Sequence, residues 1–322
     1  ALRGVKVFLL VDGYASAHLN EEDFKVNNFY FKKFNPINIF NINRLARRLH
    51  IKLLVIDCKE ALVGGINIGN RYRGSQEEVA WLDFAVQVTG ETAIKLHRLA
   101  ETLWERKFRF ARKNRRIVLN DSNRKRSEVK VGYLINDWLR GFNQINKRYL
   151  YQIRNSQKEI WIMNSYFWPG NQLLKAIRNA AKRGVSIHFV LPHISDNMFF
   201  SASIRYFYKV LLQYPTIKIY EWPYSVLHAK MAFVDRSWVT IGSYNLNILS
   251  QFRSIELNIE TNDKHFLEEV KFEFEKVIST CIAVQKADYL NSNSIIKHIY
   301  HQFSYYLIHI ALISLLFFSK KD

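Results

Sequence analysis

Two stretches of this 322-residue chain carry the same reactive side chains at the same spacing. The first holds His50, Lys52, Asp57, Gly64, Gly65 and Asn67. The second holds His228, Lys230, Asp235, Gly242, Ser243 and Asn245. From Asp to the first of the paired small residues is seven positions in both, and from Asp to Asn is ten. On a β-strand, residues two apart share a face. Each His therefore lies beside its Lys, while the Asp five positions beyond the Lys points to the other side and is left with structural work. The Asn returns on the neighbouring strand of each hairpin.

Two His, two Lys and two Asn suit displacement at a phosphodiester. Lys and Asn donate to phosphate oxygens and stabilise the charge that builds in a pentavalent transition state. One imidazole can attack phosphorus while the other, on the opposite side, protonates the leaving alcohol. In-line geometry requires that opposition, and two halves related by a pseudo-twofold axis supply it. An ammonium is a poor metal ligand, and neither half has acidic, Cys or His clusters at metal-ligand spacing. The expectation is chemistry without a metal or cofactor.

The elements that would position these residues also occur twice. Ala1 to Val11 parallels Ala181 to Leu191: a helix end, an Arg-Gly cap, then a buried strand, with Gly4 and Gly184 where a left-handed C-cap is wanted. Val5 precedes His50 by 45 positions and Val185 precedes His228 by 43. The pattern predicts an α/β fold of two homologous α/β/α halves with mixed β-sheets and a pseudo-twofold active site. Strands are expected over 5–11, 52–57, 61–66, 83–88, 159–163, 185–191, 217–220, 230–235, 239–241 and 255–259. Helices are expected over 91–110, 130–155, 171–182, 199–212 and 263–284. The second half has a strand and a helix before Ala181 that have no counterpart before Ala1, so the first half is expected to be truncated at its N-terminus. The organisation is a first half over 1–110, a basic linker over 111–130, a second half over 131–284 and an apolar or amphipathic tail over 285–322.

The net charge is +19 and the pI about 9.8, which favours polyanionic partners: anionic membrane, nucleic acid or phosphate-bearing substrates. With 23 Phe, 17 Tyr and 7 Trp, long disorder is excluded. Two cysteines, Cys58 and Cys281, cannot build a disulfide framework and are expected to be reduced thiols. From His298 to Ser319 there is no Lys, Arg, Asp or Glu. The apolar run within it, Phe303 to Phe318, would reach only about 24 Å as a helix, short of a bilayer core of about 30 Å. An interfacial anchor closed by Lys320 and Lys321 is one reading. A helix packed on the domain is the other, because Ile295, Ile299, Phe303, Tyr306 and Ile310 fall near helical spacing.

The duplicated motif resembles that of the phospholipase D superfamily. In finer detail the chain resembles bacterial cardiolipin synthases through Val11-Asp-Gly-Tyr-Ala-Ser16, Gly64-Gly-Ile-Asn-Ile68, Asn164-Ser-Tyr-Phe-Trp-Pro169, Ala180-Ala-Lys-Arg-Gly-Val185 and Gly242-Ser-Tyr-Asn-Leu246. The resemblance implies His50 as the nucleophile that carries a phosphoryl group, and His228 as general acid and then base. It implies that an acid from each half orients the histidine of the other. Asp83, 33 positions after His50, and Glu256, 28 after His228, fit that role, with Glu260 as the alternative to Glu256. Ile51 stands where these synthases often carry a basic residue. The catalytic set is then His50, Lys52, Asp57, Asp83, His228, Lys230, Asp235 and Glu256, with Asn67, Asn245, Gly65 and Ser243 against the substrate phosphate. The implied activity is transfer of a phosphatidyl group from phosphatidylglycerol to a lipid alcohol, giving cardiolipin. Its partners would be an anionic phospholipid and the cytoplasmic face of the bacterial membrane. Hydrolysis of a lipid or nucleic-acid phosphodiester, or an inactive membrane-binding remnant, are the competing readings; nucleic acid is the less favoured partner. Oligomeric state is left open.

Overall fold

The computed structural model describes residues 1–36, 47–105, 130–196, 198–287, 299–308 and 310. It is a mixed α/β fold in which each of two passes of the chain runs parallel strands into an antiparallel trio and then a helix. The first pass begins with β1 (Val7–Asp12) and β2 (Phe29–Phe34), paired in parallel. After a short β3 (Arg48–Leu49) come three antiparallel strands: β4 (Leu53–Ile56), β5 (Glu60–Gly64) and β6 (Ala85–Thr89). Helix α1 (Glu91–Glu105) closes the pass.

The second pass is larger. β7 (Val131–Asp137) and β8 (Phe142–Asn143) lead into α2 (Gln144–Asn155), β9 (Glu159–Asn164) and α3 (Asn171–Lys182). Then follow β10 (Ser186–Ile194), α4 (Met198–Leu211) and β11 (Ile217–Val226), with β9, β10 and β11 mutually parallel. Such strands are covered on both faces, and β9 accordingly reads Glu-Ile-Trp-Ile-Met-Asn with five of its six residues buried. The antiparallel trio β12 (Lys230–Val234), β13 (Trp238–Gly242) and β14 (Ser254–Thr261) precedes α6 (Lys264–Ile278); the one-turn helix α5 (Ile248–Phe252) lies before β14. With β15 (Ile282–Ala283) at one edge, the sheet runs β15-β11-β10-β9-β12-β13-β14-β7-β8, and β3 joins it beside β14.

Three features of the duplicated motif now have physical causes. Asp57 and Cys58, like Asp235 and Arg236, have φ between +49° and +59°, giving left-handed pairs in the three-residue turns between β4 and β5 and between β12 and β13. Asp tolerates that conformation better than most residues, which accounts for its place in the motif. A Cβ on Gly64 would collide with the Phe84 carbonyl and Ala85, and one on Gly242 with the Leu257 carbonyl and Asn258, so the third strand can approach only glycine. Gly4 and Gly184 both have φ +86°, the left-handed caps that the two Arg-Gly segments require.

The expected helix over 130–155 is corrected. Val131 to Asp137 is a strand, Trp138–Arg140 a 3-10 turn, and helix begins only at Gln144. Gly141, at φ +78°, stops any helix running through it, and β14 offers Val131–Asn136 an unfilled edge that pairs residue for residue. β2 was absent from the expected strands; its Phe29-Tyr-Phe-Lys-Lys-Phe34 run binds β1 in register. The expected helix over 263–284 ends at Ile278, and its start is capped by the Asp263 carboxylate on the Phe266 amide. The 111–129 part of the basic linker and residues 311–322 of the tail, Lys320 and Lys321 included, lie outside the described residues.

Residues 299–308 are helical and return to the domain. Tyr305 stacks on both Trp168 and Tyr206, at 4.7 and 4.2 Å between ring centroids, and Ser304 is fully buried. Ile299, Phe303, Tyr306 and Ile310 remain exposed. Among the described residues no helix is long and apolar enough to cross a membrane.

Candidate active site

The two motifs meet where Leu82, just before β6, bridges to Leu227, just before β12, and where the start of β14 pairs with β3. The His228 amide donates to the Leu82 carbonyl at 2.7 Å, and the His50 amide donates to the Ile255 carbonyl at 3.0 Å. Leu82 and Ile255 each immediately precede an acid. Asp83 Oδ2 lies 2.6 Å from His228 Nδ1, and Glu256 Oε2 lies 2.8 Å from His50 Nδ1. Each histidine is thus held at its backbone and at its ring by the opposite pass. Core packing makes the exchange rigid: Leu82, Phe84 and Val86 pack into the second-pass core, and Leu257 and Ile259 into the first-pass core.

Strand register decides between the two candidate acids. Gly64 pairs with Ala85, two positions after Asp83; Gly242 pairs with Asn258, two positions after Glu256. Glu260 is turned elsewhere, accepting from the Trp238 indole at 2.7 Å and from Arg148 at 3.0 Å.

Lys52 and Lys230 stand beside their own histidines. Lys52 Nζ donates to the His50 carbonyl at 2.8 Å, and Lys230 Nζ donates to that of His228. Burial pushes Lys52 down to about 8, against the pull of Glu256 and Asp83. It pushes Lys230 down to about 7, with Asp83 opposing and Lys52 reinforcing the fall. Burial raises the Asp83 carboxyl to about 6, against the attraction of Lys230 and Lys52. Burial also drives His228 far below the usual imidazole range, helped by the charges of Lys230, Lys52 and His50. His50 is lowered too, chiefly by desolvation, with Glu256 opposing. Burial thus favours the neutral form of both imidazoles and loosens the hold of both amines on their protons. A phosphodiester brings the negative charge that reverses both tendencies.

The histidines are not equivalent. The His50 side chain is 31% exposed and that of His228 only 7%. Three aromatic rings enclose His228: Tyr72, Trp81 and Tyr166, at 5.5, 5.8 and 6.5 Å between centroids. The Tyr72 hydroxyl lies 3.1 Å from His228 Nδ1, and that of Tyr166 donates to Asp196. The motif spacing held no sign of this enclosure, because Tyr72 and Trp81 come from the loop between β5 and β6 and Tyr166 from the end of β9. For Tyr166 a signal existed, since it lies within the Asn164–Pro169 segment that carries the family resemblance.

Several expected site residues have other duties. Asp57 and Asp235 sit in the hairpin turns, five residues and so roughly 15 Å from the lysines. Asp235 accepts the amides of Gln157, Lys158 and Glu159 at 2.5 to 2.8 Å, which ties its turn to the start of β9. Neither belongs to the reacting centre. Ser243 is fully buried and donates to Glu256 Oε2 at 2.5 Å, so it faces the acid rather than a phosphate. Gly65 occupies the matching position, where any Cβ would strike the Asp83 carboxylate. Their amides are used as well, on the Phe84 and Leu257 carbonyls. Asn245 accepts from Ser165 at 2.7 Å through Oδ1, which leaves its amide nitrogen to point onward. Asn67 donates to the Tyr72 hydroxyl at 2.9 Å. Asp12 was not expected at the site. Its carboxylate grips Arg48 and the Leu49 amide, the two residues before His50. Burial acts to raise its pKa, but those bonds together hold it below the usual value.

The family described as "Cardiolipin synthase, PLD-like domain" matches residues 149–278. Cardiolipin synthase B of Shigella flexneri is 30% identical over 293 residues, spanning 87% of this chain and 68% of its own length. Cardiolipin synthase 1 of Staphylococcus aureus (strain COL) is 26% identical over 312 residues, spanning 90% of this chain and 59% of its own length. Among solved structures, the phosphatidylserine synthase of Haemophilus influenzae Rd KW20 superposes with a TM-score of 0.70 over 96% of this chain and 82% of that one. At 16% identity that likeness is one of fold.

Proposed function

Since the chain belongs to the phospholipase D superfamily, alongside cardiolipin synthases, and is thereby a phosphodiester-transferring enzyme, we propose that it makes cardiolipin from phosphatidylglycerol through a phosphohistidine on His50. The observation that carries this reading is the crossed pairing of each histidine with the acid of the other half, with each lysine held on the carbonyl of its own histidine.

In the first step His50 Nε2 attacks phosphorus. Glu256 holds Nδ1–H, which keeps Nε2 free of a proton and stabilises the positive ring that forms. Lys52, Lys230 and Asn245 donate to the non-bridging oxygens as charge builds on them. His228, charged once the phosphate is bound, protonates the departing glycerol oxygen. In the second step the neutral His228 takes the proton of an acceptor alcohol, whose oxygen attacks phosphorus as the P–N bond to His50 breaks. The greater exposure of His50 suits a nucleophile that a large phosphatidyl group must reach. The acceptor is a second phosphatidylglycerol, and the enzyme works on the surface of an anionic bilayer.

The test uses phosphatidylglycerol in mixed micelles. Cardiolipin and glycerol should form in equal amounts, and brief incubation with labelled lipid should leave acid-labile phosphorus on His50 but none in a His50→Ala variant. Phosphatidate as the sole lipid product would replace the transferase reading with a hydrolase, and label retained on His228 would reverse the two roles.

A further inference from the structure

The loop between β5 and β6 does more than enclose His228. It is closed at its base by the Trp81 amide donating to the Arg71 carbonyl at 2.9 Å, and its 3-10 turn spans Asn70–Tyr72. The Arg71 guanidinium lies over the Trp81 indole, 4.6 Å from the ring centroid, and Trp81 in turn lies 5.8 Å from the His228 ring. The cation is therefore within about 10 Å of the imidazole. Among the described residues no carboxylate pairs with it, although Glu77 and Glu78 occur in the same loop. The Ser75 hydroxyl accepts the backbone amides of Glu77 and Glu78. A guanidinium stacked on an aromatic face keeps its edge donors free for a planar or tetrahedral anion.

Resting on the transferase reading above, the acceptor alcohol must enter on the His228 side, opposite His50. A glycerol headgroup places its own phosphorus five bonds from the reacting hydroxyl, roughly 6 Å away when extended. Water and simple alcohols have no such group.

We propose that Arg71, braced on Trp81 beside His228, binds the phosphate of the acceptor lipid and so selects a phosphate-bearing alcohol over a neutral one. In this step the acceptor oxygen loses its proton to His228 and bonds to phosphorus as the P–N bond to His50 breaks. Arg71 takes no proton; it holds the second phosphate while this happens. The enzyme would thus read two phosphates, one between the lysines and one on the loop.

Competition for the common intermediate isolates this role. Phosphatidylglycerol micelles are supplied with a fixed concentration of ethanol, and cardiolipin and phosphatidylethanol are measured together. Their ratio does not depend on how much enzyme is folded. Arg71→Gln should lower the cardiolipin-to-phosphatidylethanol ratio about tenfold. Arg71→Met, which keeps the packing on Trp81, should do the same, while Arg71→Lys should retain part of the preference. A ratio unchanged in the Gln and Met variants, with wild type making both products, overturns the assignment of Arg71 alone. A wild-type enzyme that forms neither transfer product overturns the transferase reading and this assignment with it.

Discussion

Replacing Glu256 by Gln tests the crossed pairing at its most sensitive point. The carboxylate is fully buried, and a single oxygen, Oε2, receives both His50 Nδ1–H and the Ser243 hydroxyl. Its other oxygen, Oε1, is buried with no hydrogen-bond partner. Gln can keep its carbonyl at the Oε2 position and put its amide where Oε1 now lies. The geometry is then preserved, but the bond to the developing imidazolium changes from charge-assisted to neutral. Charge-assisted bonds contribute about 1.5–3 kcal/mol and neutral ones about 0.5–1.5, a difference of about 1–2 kcal/mol. At 1.36 kcal/mol per decade that is roughly a 5- to 30-fold loss of kcat. KM should change little, because Glu256 touches no substrate atom. Glu256→Ala loses orientation and tautomer as well, and should cost about a thousandfold. Initial rates of cardiolipin formation give kcat, and rapid-quench labelling of His50 shows whether the first step carries the defect. A Glu256→Gln enzyme with wild-type kcat, beside a Glu260→Gln enzyme that is dead, would refute the argument from register and make Glu260 the partner.

Three further outcomes follow from the same geometry. The free-enzyme lysines at about 7 and 8 are charged below those values and lose their protons as pH rises through them, so kcat/KM should fall between about pH 7 and 8; a profile flat to pH 9.5 would show that donor binding does not need those charges. Asp235→Ala removes three backbone hydrogen bonds and a turn residue suited to positive φ, and should cost about 2 kcal/mol, or a melting temperature lower by roughly 4–8 °C, while leaving the activity of the folded enzyme intact; loss of turnover without loss of stability would return this Asp to the reacting centre. Phe303→Ser with Ile310→Ser, on the exposed face of the 299–310 segment, should weaken binding to phosphatidylglycerol vesicles at least tenfold with the melting temperature unchanged, whereas Tyr305→Ala should lower the melting temperature; equal vesicle binding by the double variant would mean that this face does not meet the bilayer.

What the sequence by itself determined was the chemistry and the local geometry that serves it. His-x-Lys on a strand, followed by Asp and Gly at fixed offsets, is a short-range pattern spanning about 15 residues, so it could be read twice from one chain, while the left-handed turn at the Asp and the close strand approach at the Gly emerged only in the structure. The alternative of Glu256 or Glu260 could not be closed that way. Both alternate onto one strand face, and only the pairing of Gly242 with Asn258 puts Glu256 against His50. The segment 131–143 failed for a related reason: its residues suit helix or strand, and the open edge of β14 decided for strand. Ser243 and Gly65 read as phosphate contacts because they lie within the repeated motif, yet the acid each one accommodates arrives from a different segment of the chain. The enclosure of His228 by Tyr72, Trp81 and Tyr166 depends on residues more than 60 positions from His228 in sequence. No periodicity encodes that enclosure, because it exists only once the residues before β6 have paired with those before β12 and each half has lent its acid to the other.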